Sequence, residues 1–258
     1  MLASRDHQSP MSNDLFVSVD GTTFRFMAEA ARTWLQTNEK TVNALNVFPV
    51  PDGDTGKNMQ LTMQAACDEM SDSSEAGVGS IAHEMAEGAV MGARGNSGVI
   101  LSQILRGMSV ILRNLNTFGT VEFAAAMGEA ADAAYQSVGE PTEGTILTVI
   151  KDAAKEGARA AQESADMIAF FERVVLSCEV SVKRTPTLLP ELEQTGVIDA
   201  GGFGLLLVFE GMLRYLRGES LEEAIIGISD MMRLGIRFTE EQKDRHARLM
   251  EKNKLSEQ

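Results

Sequence analysis

Leu205-Leu206-Leu207-Val208-Phe209-Glu210-Gly211-Met212-Leu213-Arg214-Tyr215-Leu216-Arg217-Gly218 is the stretch that decides the fold class. Leu205, Val208, Phe209, Met212 and Leu216 recur at the three- and four-residue spacing that puts side chains on one face of an α-helix, and Gly218 stops the run. The same spacing repeats up the chain. Phe24, Met27, Ala28, Ala31, Trp34 and Leu35 share a face, as do Met59, Met63, Ala66, Cys67 and Met70. Further stripes begin at Ile81, Ile100, Phe123, Ile146 and Phe171. That makes eight amphipathic helices between residues 24 and 217, with no alternating strand. Val47-Phe48-Pro49-Val50-Pro51 is apolar, but its two prolines forbid a central strand. The expected organisation is an aperiodic, flexible terminus over 1–23 and one all-α domain over 24–218, then a helical extension over 219–258. In that extension Ser220-Leu221-Glu222-Glu223 reads as a capping box and Thr239 as a second helix start.

Composition agrees. Of 258 residues, 44% are apolar and only 5% aromatic, enough for a core and typical of Ala-, Leu- and Met-rich helices. No run of 18 uncharged apolar residues exists, so no membrane span is expected, and the first 20 residues lack the apolar core of a secretory signal. With 23 Lys and Arg against 37 Asp and Glu the net charge is −14, which argues against a nucleic-acid partner. The two cysteines, Cys67 and Cys178, lie on apolar stripes and read as core thiols; a cytoplasmic setting is the simplest one. His7, His83 and His246 have no metal-ligand spacing.

Three glycine-rich loops open helices and hold residues that a plain bundle does not need. The first is Asn46-Val47-Phe48-Pro49-Val50-Pro51-Asp52-Gly53-Asp54-Thr55-Gly56-Lys57-Asn58-Met59. Asp52 and Asp54 flank a glycine and can converge on a divalent cation, Gly56 permits an unusual backbone dihedral, and a helix starting near Asn58 offers unpaired N–H groups to an anion. An ordinary Asp-Gly turn with a helix cap is the competing reading. An EF-hand is a poor competitor, because Lys57 and Met63 occupy the positions of its glycine and its terminal glutamate. The second loop is Gly92-Ala93-Arg94-Gly95-Asn96-Ser97-Gly98, which is not a Walker loop and could equally be normal capping. The third is split between Pro141-Thr142-Glu143-Gly144-Thr145 and Asp199-Ala200-Gly201-Gly202-Phe203-Gly204. Ser97 has no His/Asp relay, so no hydrolase triad is expected.

Taken in order, Asn43–Gly56, Gly92–Gln103, Glu143–Val149 and Asp199–Gly202 closely resemble the N-terminal ATP-binding domain of bacterial fatty acid kinase, a homologue of the nucleotide-binding domain of dihydroxyacetone kinases. The resemblance covers about residues 24–218. It implies an eight-helix antiparallel up-and-down α-barrel with nucleotide at one end, ATP and two Mg²⁺ ions as cofactors, and Asp52 and Asp54 as catalytic residues and metal ligands. Asn46, near a further family aspartate, would be a neutral third ligand. Thr55, Gly56, Asn58 and Met59 match the turn that meets phosphate; Asn96, Ser97 and Gly98 match the second phosphate loop. Thr145, Ile146, Asp199, Gly201 and, at a different spacing, Arg184 match the nucleotide pocket. Lys57 departs from the small residue expected there.

The implied activity is transfer of the γ-phosphoryl group to the carboxylate of a fatty acid presented by a carrier protein, with a homodimer as an open alternative for self-association. A carboxylate is already ionised at neutral pH, so charge neutralisation and alignment suffice without a general base. The alternatives are transfer to a dihydroxyacetone-like hydroxyl and a nucleotide-binding regulatory module without turnover; an acidic structural bundle is the third. Fatty acid kinases continue into a middle and a C-terminal domain, and this chain ends near where the middle domain would begin.

Overall fold

The computed structural model describes residues 15–71 and 77–221. Its long helices are α1 (Gly21–Thr37), α3 (Thr55–Ser71), α4 (Val78–Gly92), α5 (Gly95–Leu112), α6 (Thr120–Gln136), α7 (Ile146–Glu163), α8 (Met167–Arg184) and α10 (Ala200–Arg217). These eight are the eight apolar stripes. Two helices too short to show a period join them, α2 (Glu39–Leu45) and α9 (Pro190–Thr195).

Each long helix packs on the next along the chain, and α10 returns to pack on α1, so the eight close into an antiparallel ring. The stripes face inward: Phe24, Met27, Trp34, Met59, Met63, Phe123, Ile150, Phe171, Phe203 and Phe209 are all buried in one continuous core. Burial of this kind is the main driving force, at roughly 25 cal/mol per Å² of apolar surface removed from water. The closing seam depends on Gly211, where a β-carbon would sit 2.8 Å from the Ala30 carbonyl oxygen and 2.6 Å from the Ala31 Cα. Across the same seam the Trp34 indole N–H donates to Glu210 Oε2 at 3.1 Å, and the Arg214 guanidinium lies 3.9 Å from the Trp34 ring centre.

The two ends of the barrel differ. At one end, helices α1, α4, α6 and α8 begin, and an aromatic cluster fills the space. Phe118, Phe123, Phe170 and Phe171 pack with ring centres 5.0 to 6.0 Å apart. A minimal antiparallel pairing of β1 (Val19–Asp20) with β2 (Thr117–Phe118) covers this cluster, and the Met167 N–H donates to the Phe16 carbonyl. Residues 16–20 therefore contribute to the fold although they show no period, because a two-residue strand has none. Asp20 starts α1 by accepting from the Thr23 N–H at 2.8 Å, four residues ahead of the first striped position, Phe24. At the other end α3, α5, α7 and α10 begin, and there the barrel is open.

Gly218 ends α10 in the left-handed conformation, φ 68°, as its place in the sequence predicts. Cys67 and Cys178 are buried core thiols, and burial pushes the pKa of each up. His83 is exposed beside Glu87. No helix among the described residues is long and apolar enough to cross a membrane. The helices expected from Ser220–Glu223 onward and at Thr239, together with His7 and His246, lie outside the described residues or extend beyond them.

Candidate functional site

The loop between α2 and α3 is folded around one side chain. The Asn46 amide oxygen accepts from the N–H groups of Gly53 at 2.9 Å and Asp54 at 3.3 Å, while its NH₂ donates to the carbonyls of Val50 and Phe48. Both acceptor positions of its oxygen are thus occupied by the loop, and an amide suits this place because it asks for donors as well as acceptors. Held in this way, the loop turns Asp52 and Asp54 outward. Neither carboxylate has a hydrogen bond or ion pair among the described residues, and Asp52 is exposed.

Other expectations at this loop are redistributed. Gly53, not Gly56, adopts the left-handed backbone, φ 70°. Gly56 lies inside the first turn of α3 against the Glu39 carbonyl and Val42, where a side chain has no room. Met59 points into the core against Gly204 and is fully buried. The sequence could not separate these roles, because a packing glycine and a turn glycine look alike.

The second loop opens α5, which starts without a side-chain cap. Asn96 and Ser97 face the barrel mouth, whereas Gly98 is buried against the Thr62 hydroxyl. Thr62 Oγ1 also accepts from the Arg94 N–H at 3.3 Å, which ties the loop to α3. The third and fourth openings are capped. Thr145 caps α7, accepting from the Leu147 N–H at 3.4 Å and donating to the Thr142 carbonyl at 2.7 Å. Asp199 caps α10, with Oδ2 accepting from the Gly202 N–H at 2.6 Å. The residue is 5% exposed, and burial pushes its pKa up to about 6 against the opposing backbone hydrogen bonds of Gly202 and Ile146.

These four openings surround one cavity of about 590 Å³. Asn46, Asp52, Asp54, Thr55, Asn58, Asn96, Ser97, Thr145, Ile146, Asp199 and Gly201 all line it, so loops far apart in sequence share one pocket. Gly56, Met59 and Gly98 lie beneath it as packing residues. Arg184 does not line it; its guanidinium is held by the Asp152 carboxylate at 2.7 Å. Lys57 and Arg94 are exposed and outside the lining. Sequence reasoning gave no site role to the apolar rim of Phe48, Pro49, Val50, Val99, Ile100 and Val138, nor to the wall made by Ser137, Gly139, Glu140 and Thr142. Only tertiary proximity gives those residues a place at the site.

Helix N-termini carry a partial positive charge and free N–H groups, so four around one cavity make a site for a strongly anionic ligand. No group of three or more Asp, Glu, His or Cys residues is placed to hold a metal ion among the described residues. The unpaired Asp52 and Asp54 fit Mg²⁺ nonetheless, since that ion characteristically uses one or two carboxylates and takes its other ligands from substrate phosphates and water.

The family profile described as the DAK2 domain matches residues 49–214, from the first loop through α10. The chain belongs to the DAK2 domain family. This DAK2 domain is similar to protein YloV of Bacillus subtilis (strain 168), 45% identical over 83% of this chain and 39% of that protein. It is also similar to an uncharacterized protein of Staphylococcus aureus (strain USA300), 40% identical over 81% of this chain and 38% of the relative. The chain thus spans about two fifths of the length of these relatives. Among solved structures, the native dihydroxyacetone kinase of C. freundii superposes with a TM-score of 0.54 at 16% identity, over 83% of this chain and 38% of that one. What the DAK2 domain shares with that kinase at this identity is the helical fold.

Proposed function

We propose that this DAK2 domain binds Mg²⁺·ATP in the open end of the barrel and transfers the γ-phosphoryl group to the carboxylate of a fatty acid presented by a carrier protein. One observation carries the reading: four helix N-termini and an unpaired pair of carboxylates face the same cavity. Asp52 and Asp54 hold the metal, with one ion or two. Bound there, Mg²⁺ supplies positive charge to the phosphate oxygens. The backbone N–H groups at Asn96, Ser97 and Gly201 and the side chains of Thr55 and Asn58 orient the triphosphate. The β,γ-bridging bond breaks, the acceptor carboxylate forms the new P–O bond, and ADP leaves.

A carboxylate acceptor asks least of this pocket. No histidine lines it among the described residues, and a hydroxyl acceptor would need a base to take its proton. A carboxylate needs none. The carrier protein and the fatty acid rest on the sequence resemblance; the anion site rests on the geometry.

Calorimetric titration of Mg²⁺·ATP into the purified chain tests the site. The expected result is saturable, Mg²⁺-dependent binding that Asp52→Ala or Asp54→Ala abolishes while helical circular dichroism is retained. Unchanged ATP affinity in both variants removes the pair from the metal site. Turnover is then assayed with a fatty-acid-loaded carrier against dihydroxyacetone; transfer to the fatty acid supports the carboxylate reading, and transfer to dihydroxyacetone overturns it.

A further inference from the structure

One wall of the cavity, residues 137–145 between α6 and α7, carries no regular secondary structure, yet Ser137, Thr142 and Thr145 line the pocket from it. Such a segment needs an anchor to keep a fixed shape. Glu143 supplies it. Its side chain is absent from the cavity lining, is partly exposed, and has three hydrogen-bond partners. Oε1 accepts from the Tyr135 hydroxyl at 2.9 Å and from the Lys151 ammonium, and Oε2 accepts from the Thr148 hydroxyl at 2.6 Å. The Thr148 oxygen in turn accepts from the Gly144 N–H at 2.8 Å. One carboxylate therefore joins the last turn of α6 to the first two turns of α7 and fixes the chain between them. The opposite side of the turn is blocked as well. Gly144 has φ 84°, and a β-carbon there would lie 3.0 Å from the Thr185 carbonyl oxygen.

We propose that Glu143 is a positioning residue for the phosphoryl-donor site, acting through residues 144 and 145 to hold the Thr142–Thr145 wall against the bound nucleotide. This rests on the nucleotide reading above. Charge-assisted hydrogen bonds are among the stronger ones, and a set that shares one acceptor is lost together when the acceptor is removed.

The test compares wild type with Glu143→Ala, Glu143→Gln and Tyr135→Phe, by Mg²⁺·ATP calorimetry and thermal melting of the full chain. The expected result is about a tenfold weaker Kd for Glu143→Ala, equivalent to about 1.4 kcal/mol, with melting close to wild type. Partial rescue is expected in Glu143→Gln, which keeps an acceptor oxygen, and a smaller loss in Tyr135→Phe, which removes one donor. A purely structural role predicts a lower melting temperature with Kd unchanged in all variants, and that result overturns the proposal. If Glu143→Ala proves too unstable to measure, the Glu143→Gln and Tyr135→Phe affinities decide alone: values within twofold of wild type overturn it. Absence of binding by wild type overturns the nucleotide reading and this one together, whereas wild-type binding with unaffected variants overturns this one only.

Discussion

Asp199 shows how one buried side chain couples the site to stability. It belongs to the cavity and caps α10, and burial raises its pKa from 3.8 to about 6. The sign follows from linkage. Below about pH 4 the carboxyl is protonated in both folded and unfolded chains. Between about pH 4 and 6 the unfolded chain gives up the proton and the folded one keeps it, so stability falls as pH rises through that window. The total is about 3 kcal/mol, and above about pH 6 it is constant. Asp199→Asn keeps an acceptor for the Gly202 N–H and removes the charge. Thermal melts at pH 4 and pH 7 are expected to show the variant gaining on wild type as pH rises; a constant difference between the two proteins contradicts the assignment.

Among the elements, the α2–α3 loop depends most on a single residue. Asn46 is buried, and its amide makes four hydrogen bonds to the loop backbone. A net hydrogen bond contributes about 1 kcal/mol, and buried backbone groups left unpaired cost more. Asn46→Ala is therefore expected to cost about 2–3 kcal/mol in urea unfolding and to weaken Mg²⁺·ATP binding, because Asp52 and Asp54 lose their fixed presentation. Full retention of both properties would show that the prolines alone hold the loop. The long helices are less sensitive at their caps, since each is also held by its apolar face.

For the molecule as a whole, closure of the ring matters more than any one helix. Gly211 lets α10 approach α1 backbone to backbone, and its replacement by alanine forces the seam apart. Gly211→Ala is expected to destabilise by about 1–3 kcal/mol. Gly128, mid-helix in α6, has open space where a β-carbon would stand, with no neighbouring atom within 4 Å, so Gly128→Ala is expected to stabilise by about 0.5–1 kcal/mol. Denaturant midpoints of the two variants should move in opposite directions, and movement in the same direction rules out close seam packing as the cause. With four helix N-termini at the open end, loosening the seam also spreads the N–H groups that face the cavity.

The all-α class, the eight long helices and the end of α10 at Gly218 were legible in the sequence, because 3.6-residue periodicity is local and each stripe records the face that must leave water. Asp52, Asp54, Asn96, Ser97, Thr145 and Asp199 were legible as candidates because glycines and short polar residues before a helix mark a loop with free N–H groups. The roles within those loops were not. Gly56, Met59 and Gly98 share the loops with true lining residues, and only packing separates them. The resemblance marks Asn46 as a metal ligand, and only the geometry shows its amide also bonding the loop backbone. The rim of Phe48, Val99 and Val138 joins residues far apart in sequence, and the hydrogen bonds that make Glu143 an anchor follow no sequence pattern. Sequence sets which faces are apolar and where helices start, since those are properties of neighbours along the chain; closure of the ring alone decides which starts meet, and so where a pocket forms.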